Sequence, residues 1–274
     1  MSALKHSFRL AAVSSLSVVL AFNAAVAQPA PAFEPKVGQR GKDVVWVPTN
    51  QTLVDKMLDM AKVTSSDYLM DLGSGDGRTV ITAAKRGATA QGIEYNPDMI
   101  ELSKKNAEKE GVTAKASFEK ADLFETDFSK ATVVTMFLLP SINLKLRPKL
   151  LDMKPGTRVV SNSFDLGDWT ADETASVGEE CSSHCTAYFW IVPAKVDGTW
   201  QTPQGELKLG QKYQVVSGTL KNGNVIAPVT NGKLTGDQIA FTAAGTRYIG
   251  TVNGATIEGK SNEGGKEAAW KATK

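Results

Sequence analysis

The sequence predicts an α/β domain, a parallel sheet with helices on both faces, followed by a small antiparallel β-domain. Three observations predict it. Short apolar runs alternate with helical stretches between residues 68 and 164, the pattern of a parallel sheet built from strand–helix–strand units. The stretch Leu69 to Val80, LMDLGSGDGRTV, is an apolar strand that breaks into a glycine-rich turn and leads into a helix. After Ala194 the composition changes: 13 of the 24 glycines lie there, and Asn-Gly pairs at 222, 231 and 253 signal type I′ hairpins.

The chain opens with a processed segment. Lys5 and Arg9 form a basic region, Leu10 to Phe22 an apolar one, and Ala25-Val26-Ala27 a cleavage site before Gln28, which together read as a signal peptide over residues 1–27. The expected protein is exported, periplasmic or secreted. The apolar run is broken by Ser14, Ser15 and Ser17 and falls short of the ~20 residues a bilayer span needs, so no membrane span is expected after cleavage. Residues 28–43 read as a proline-rich leader, residues 44–194 as the α/β domain and residues 195–274 as a β-meander. The full chain has 31 Lys and Arg against 29 Asp and Glu, and loss of Lys5 and Arg9 makes the remainder formally neutral. A nucleic-acid partner, which calls for clustered positive charge, is not expected.

In chain order, Thr49 or Asn50 can cap a helix that places Leu53, Val54, Met57, Leu58 and Ala61 on one face. Strands are expected at Tyr68 to Leu72, Ala90 to Glu94, Ala116 to Ala121, Thr132 to Leu138 and Thr157 to Phe164. The clearest helix runs from Pro97 to Glu110, with Asn96 as cap, proline at the first helical position and Gly111 just past the end. The strand TAYFWIVP completes the sheet. In the tail, Gln238 to Thr242, Arg247 to Val252 and Ala255 to Gly259 suit an antiparallel sheet or barrel with its own core.

Strand, glycine-rich turn and helix make an anion- or nucleotide-binding element, because glycine lets the backbone approach a ligand and the helix N-terminus offers free N–H groups. Gly73, Gly75 and Gly77 are spaced G-x-G-x-G with Arg78 following, which departs from the dinucleotide fingerprint, and the phosphate-loop lysine is absent. A ligand without a pyrophosphate is indicated. Asp71, Glu94 and Asp122 fall at the carboxyl ends of successive strands, where open α/β sheets bind ligands and where a carboxylate can accept from a ribose diol. Glu94 is expected to stay solvated until that ligand arrives, so that its loss leaves the empty protein's stability nearly unchanged.

In DLGSGDG, the acid Glu94 and the pair Asp122-Leu123, the chain resembles the class I S-adenosylmethionine-dependent methyltransferases. More narrowly, VPTN, AKVTSSDYLMDLGSGDGR, EGVTAKASFEKADLFETDFSKATVVTMFLLP and LRPKLLDMKPGTRVVS resemble the archaeal broad-specificity protein-lysine methyltransferases and their mitochondrial relatives. The likeness covers about Val47 to Trp169 and leaves out the leader and the β-rich tail. It implies a Rossmann-like sheet, S-adenosyl-L-methionine as cofactor, and a protein lysine or small amine as methyl acceptor. It also implies roles: Gly73 and Gly75 pass the methionine part of the cofactor with Asp71 toward its amino end, Glu94 holds the ribose, and Asp122 and Leu123 hold the adenine. Phe137 and Leu138, in the motif FLLP, border the transfer site, where backbone carbonyls can orient an amine.

Other residues keep two readings. Thr49 can reach the cofactor carboxylate or cap its helix. Trp46, Phe137 and Trp169 can wall a dry amine channel or serve as ordinary core aromatics. The family pattern carries His-Glu after VVS, where this chain has Asn162-Ser163; Asn162 is the candidate for orienting the amine. Cys181 and Cys185 flank His184 in CSSHC, and in an oxidising compartment they can bridge, with free thiols or a metal as the alternatives. No metal is expected, since His184 offers only a third ligand. The competing function is that of an exported binding or structural protein that keeps the fold without turnover.

Overall fold

The computed structural model describes residues 33–178 and 181–274. The expected signal peptide and the leader up to residue 32 lie outside the described residues. Helix α1 (Gln51–Met60) starts at Asn50, whose side chain accepts from the Thr52 N–H at 2.8 Å. Asn50 is therefore the cap and Thr49 is released for another use. Leu53, Val54, Met57 and Leu58 of α1 are buried, as their spacing requires.

The sheet then builds as β1 (Tyr68–Leu72), α2 (Arg78–Lys85), β2 (Thr89–Glu94), α3 (Pro97–Lys109), β3 (Ala116–Lys120), β4 (Val133–Met136), α4 (Pro140–Leu151), β5 (Arg158–Asn162), β6 (Glu173–Ser176) and β7 (Thr186–Ile191). Asn96 caps α3 by accepting from the Asp98 N–H, and Pro97 opens it. The strand order is β3-β2-β1-β4-β5-β7-β6; β1 to β5 pair in parallel, while β7 runs antiparallel to both neighbours. Strand order reverses between β1 and β4, so their carboxyl ends open the crevice in which such sheets bind ligands. Edge strand β6 is outside the expected set because its residues ETAS carry no apolar alternation and it is held through β7 alone.

Side-chain alternation along β1 sorts two cores. Leu69 packs with α1 and α2 through Leu58 and Val80, while Met70 and Leu72 pack with Phe128, Leu146, Trp169 and Trp190. Trp169 is fully buried there, its ring 6.0 Å from that of Trp190, and its carbonyl accepts from Trp190 Nε1 at 2.7 Å. It is a core aromatic and not a wall of the site.

The tail closes into an eight-stranded antiparallel barrel: β8 (Gly198–Thr202), β9 (Gly205–Lys212), β10 (Val215–Asn222), β11 (Val225–Thr235), β12 (Gln238–Ala243), β13 (Thr246–Asn253), β14 (Thr256–Glu263) and β15 (Lys266–Thr273), with β15 returning to β8. Residues alternate inward and outward, so Trp200, Phe241, Tyr248 and Trp270 fill the interior. The pairs at 222 and 253 make two-residue hairpins, as expected, since Asn222 pairs with Val225 and Asn253 with Thr256. The pair at 231 does not: Asn231, at φ +52°, sits where the register shifts inside β11, and its left-handed backbone makes a β-bulge that bends the long strand.

Residues 34–274 form one compact unit. Tyr213, between β9 and β10, lays its ring on Trp169 at 6.0 Å and donates its hydroxyl to Asp168 Oδ1 at 2.8 Å. Gln214 Nε2 donates to the Thr170 carbonyl at 2.7 Å. Among the described residues no helix is long and apolar enough to cross a membrane.

Candidate active site

The glycine-rich turn folds over the carboxyl ends of β1 and β2. A Cβ on Gly75 (φ +55°) would stand 2.7 Å from the Trp46 indole nitrogen, and one on Gly92 would stand 2.6 Å from Ser74 Cβ, so both positions require glycine. Gly92 is a glycine inside a strand, a sign of close backbone approach that the sequence reading left unused. Arg78 braces the turn: it donates to both oxygens of Asp76 and, through Nη1, to the Thr49 carbonyl at 2.6 Å.

The turn, the strand ends and residues 42–49 enclose a cavity of about 330 Å³, within the size of small-molecule sites. Thr49, Asp71, Gly73, Gly75, Glu94, Asp122, Leu123, Phe137 and Leu138 all line it. Trp46 lines it as well; Asn162 does not. Asn162 is fully buried behind the wall, donating from Nδ2 to Thr49 Oγ1 at 3.2 Å and accepting at Oδ1 from Ser163 Oγ at 2.7 Å. The expectation that Asn162 meets the amine is corrected: β5 turns its side chain inward, where it orients Thr49 and Ser163.

Three carboxylates sit in different states. Asp71 is buried at the end of β1 and accepts from Thr135 Oγ1 at 2.6 Å. Burial pushes its pKa up to about 7 despite that bond, and Asp76 and Glu94 push it the same way. Glu94 is already bonded: Oε2 accepts from the Gly75 N–H at 3.0 Å, and Oε1 accepts from the N–H groups of Tyr95 and Asn96, each at 2.9 Å. The expectation of a merely solvated Glu94 is corrected, since it ties the glycine turn to the start of α3. Asp122 is paired with Lys42 and accepts from the Phe124 N–H at 2.9 Å, and both bonds hold its carboxyl below the usual range.

Phe137, Phe164 and His184 also line the cavity. Their rings pack together, His184 lying 5.1 Å from Phe137 and 6.0 Å from Phe164. Cys181 and Cys185 are joined in a disulfide, and His184 sits between them. Sequence reasoning missed Lys42, Ser74, Tyr95, Phe164 and His184 as lining residues. All but Ser74 come from outside the glycine turn and are brought in by tertiary structure.

Comparison with known proteins bears on this geometry. A family model described as the ANTKMT methyltransferase domain matches residues 71–173. A protein-lysine N-methyltransferase of Saccharolobus islandicus is 46% identical over 152 residues, spanning 54% of this chain and 94% of that protein. The chain belongs to this family of S-adenosylmethionine-dependent methyltransferases. The adenine nucleotide translocase lysine N-methyltransferase of Mus musculus is 37% identical over 113 residues, which is 40% of this chain and 48% of the mouse protein. A crystal structure of an RNA methyltransferase from Salinibacter ruber with S-adenosyl-L-homocysteine superposes with a TM-score of 0.51 at 47% identity, over 55% of this chain and 96% of that one. None of these matches covers the whole of this chain.

The residues of the methyltransferase fit S-adenosylmethionine. Asp71 is a buried carboxyl bonded to Thr135 and paired with no cation among the described residues, so a ligand ammonium can pair with it. Ser74 Oγ is buried with no hydrogen-bond partner among the described residues, a polar atom that a ligand can satisfy. Thr49 Oγ1 accepts from Asn162, which leaves its own proton to donate into the cavity.

Proposed function

We propose that the protein transfers a methyl group from S-adenosylmethionine to the amine of a protein lysine, and that it does so outside the cytoplasm. The observation that carries the reading is the joining of two kinds of group in one cavity: the carboxylates Asp71, Glu94 and Asp122, and the rings of Phe137, Phe164 and His184. The 46% identity to a protein-lysine N-methyltransferase, covering nearly all of that enzyme, favours lysine among amines. The two Lys and Arg residues that line the cavity, Lys42 and Arg78, are each paired with an aspartate, so among the described residues the lining offers no unpaired Lys or Arg of the kind an RNA acceptor calls for.

Each residue then has a task. Asp71 holds the amino end of the cofactor, with Thr49 and Ser74 as donors beside it. Glu94 holds the ribose, and Asp122 and Leu123 hold the adenine. S-adenosylmethionine supplies a methyl group already activated on a sulfonium, so positioning is most of what the protein must add. Phe137 and Phe164 exclude water from the approach, where a desolvated lysine gives up its proton more readily. Backbone carbonyls of Phe137 and Leu138 orient the nitrogen.

Purified mature protein, offered S-adenosylmethionine together with lysine-containing peptides, free lysine or RNA, tests the reading by mass spectrometry. Methylation of the peptide lysine is expected, and methylation of RNA alone overturns it. Export is checked separately: the periplasmic fraction should contain a chain that begins at Gln28.

A further inference from the structure

We propose that His184 is the proton acceptor for the incoming amine, and that the Cys181–Cys185 disulfide and Ser163 hold it ready in the required tautomer. The inference rests on the amine-methylating reading above and adds a residue that no part of the glycine-turn machinery contains.

A directed chain of hydrogen bonds carries it. Asn162 donates from Nδ2 to Thr49 Oγ1 and therefore presents Oδ1 to Ser163. The single hydroxyl proton of Ser163 goes to that oxygen, at 2.7 Å. Ser163 Oγ also lies 3.2 Å from His184 Nδ1, and with its proton already given it can only accept there. Nδ1 must then carry the hydrogen, which leaves Nε2 with its lone pair free. The ring lines the cavity beside Phe137 and Phe164. When a lysine ammonium reaches the ring, one of its N–H bonds breaks and an Nε2–H bond forms. The amine nitrogen keeps the electron pair, and the imidazolium later returns the proton to water.

The backbone explains the disulfide. His184 is held at φ +58°, a left-handed conformation uncommon for a residue with a side chain. A crosslink between residues four apart in sequence closes a loop too short to contribute much chain entropy, but it confines His184, the residue of that loop that lines the cavity. Reduction should free the ring from Ser163 while leaving cofactor binding intact.

The mature chain has no other histidine, so imidazole nitrogen NMR on the protein without cofactor reads the claim directly. The Nδ1–H tautomer is expected, shifting toward the Nε2–H form in Ser163→Ala and on addition of dithiothreitol. In turnover, His184→Ala should reduce kcat about a hundredfold with S-adenosylmethionine affinity by calorimetry unchanged, and added imidazole should restore part of it. His184→Gln, which keeps a polar side chain but no base, should stay slow. A wild-type Nε2–H tautomer, or methyl transfer undiminished in His184→Ala, overturns the assignment. A wild-type protein that binds S-adenosylmethionine but methylates no amine overturns the functional reading instead, and the base assignment with it.

Discussion

The Lys42 ammonium rests on the Asp122 carboxylate and over the Tyr95 ring, 4.8 Å from its centroid. Residues 42–49 thus strap the cavity, and at the proposed adenine position Lys42 competes with an adenine amino group for the Asp122 carboxylate. Lys42→Met should therefore bind S-adenosylmethionine more tightly, by roughly threefold given how little exposed pairs contribute. In the wild type, added salt should tighten binding by screening the pair. Calorimetry at two ionic strengths checks both; weaker binding by the variant would mean that Lys42 holds the cofactor.

Asp71 makes the empty protein sensitive to pH. Its carboxyl titrates at about 7 when folded, against 3.8 for the ordinary group, so between those values the folded state keeps a proton that the unfolded chain has lost. Stability from this group is fully present below about pH 4 and is lost as pH rises toward 7, by on the order of 4 kcal/mol at most. With the proposed contact between Asp71 and the cofactor's ammonium, binding should have the opposite dependence, because an ammonium favours the carboxylate. Affinity should rise with pH up to about 7, and binding at pH 6 should release close to one proton. Calorimetry in buffers of different ionisation enthalpy measures that proton, and Asp71→Asn should abolish both effects.

Glu94 separates scaffold from ligand contact. Glu94→Ala strands the N–H groups of Gly75, Tyr95 and Asn96 and should destabilise the empty protein by about 2 to 3 kcal/mol. Glu94→Gln keeps one carbonyl oxygen for Tyr95 and Asn96, so its stability should stay within about 1 kcal/mol of wild type while S-adenosylmethionine binding weakens roughly tenfold or more. Thermal melts with and without cofactor compare the two. An alanine variant as stable as wild type would return Glu94 to the merely solvated role its sequence position suggests.

The legible parts of this molecule are those written locally. Asp71, the glycines after it, and the Asn96-Pro97 start with Gly111 at its end announce a strand, a turn and a helix because each depends on neighbours in sequence. The strand ends carrying Glu94 and Asp122 follow from the same alternation. What long-range packing decides was not legible. Trp169 and Phe137 are both aromatics near strand ends, yet β4 aims Phe137 at the cavity while Trp169 is sealed under Trp190 and Tyr213. Asn162 and His184 exchanged importance because β7 runs antiparallel beside β5, bringing the CSSHC loop back to Ser163. Asn231-Gly232 has the same dipeptide as two real hairpins, and only the continuation of β11 past it makes a bulge.

The barrel and the sheet are joined at Tyr213, and that junction sets the outcome of removing the tail. Barrel residues fill their own interior, so residues 34–194 should still fold and bind S-adenosylmethionine. They should not be as stable as the parent, because the Tyr213 ring covers Trp169 and its hydroxyl reaches Asp168, which Arg147 and Lys212 also hold. Those partners keep the Asp168 carboxyl down at about 2, so the ionic part of the junction is present above pH 4 and is lost only as pH falls toward 2. Tyr213→Ala in the full chain should cost about 2 kcal/mol, the scale of a lost aromatic contact and its hydrogen bond. Tyr213→Phe, which keeps the ring, should cost about 1 kcal/mol. Differential scanning calorimetry distinguishes the cases: one shared transition that moves down in Tyr213→Ala is expected for the full chain. Two independent transitions, with the sheet domain melting at the same temperature with or without the barrel, would show that Tyr213 couples nothing.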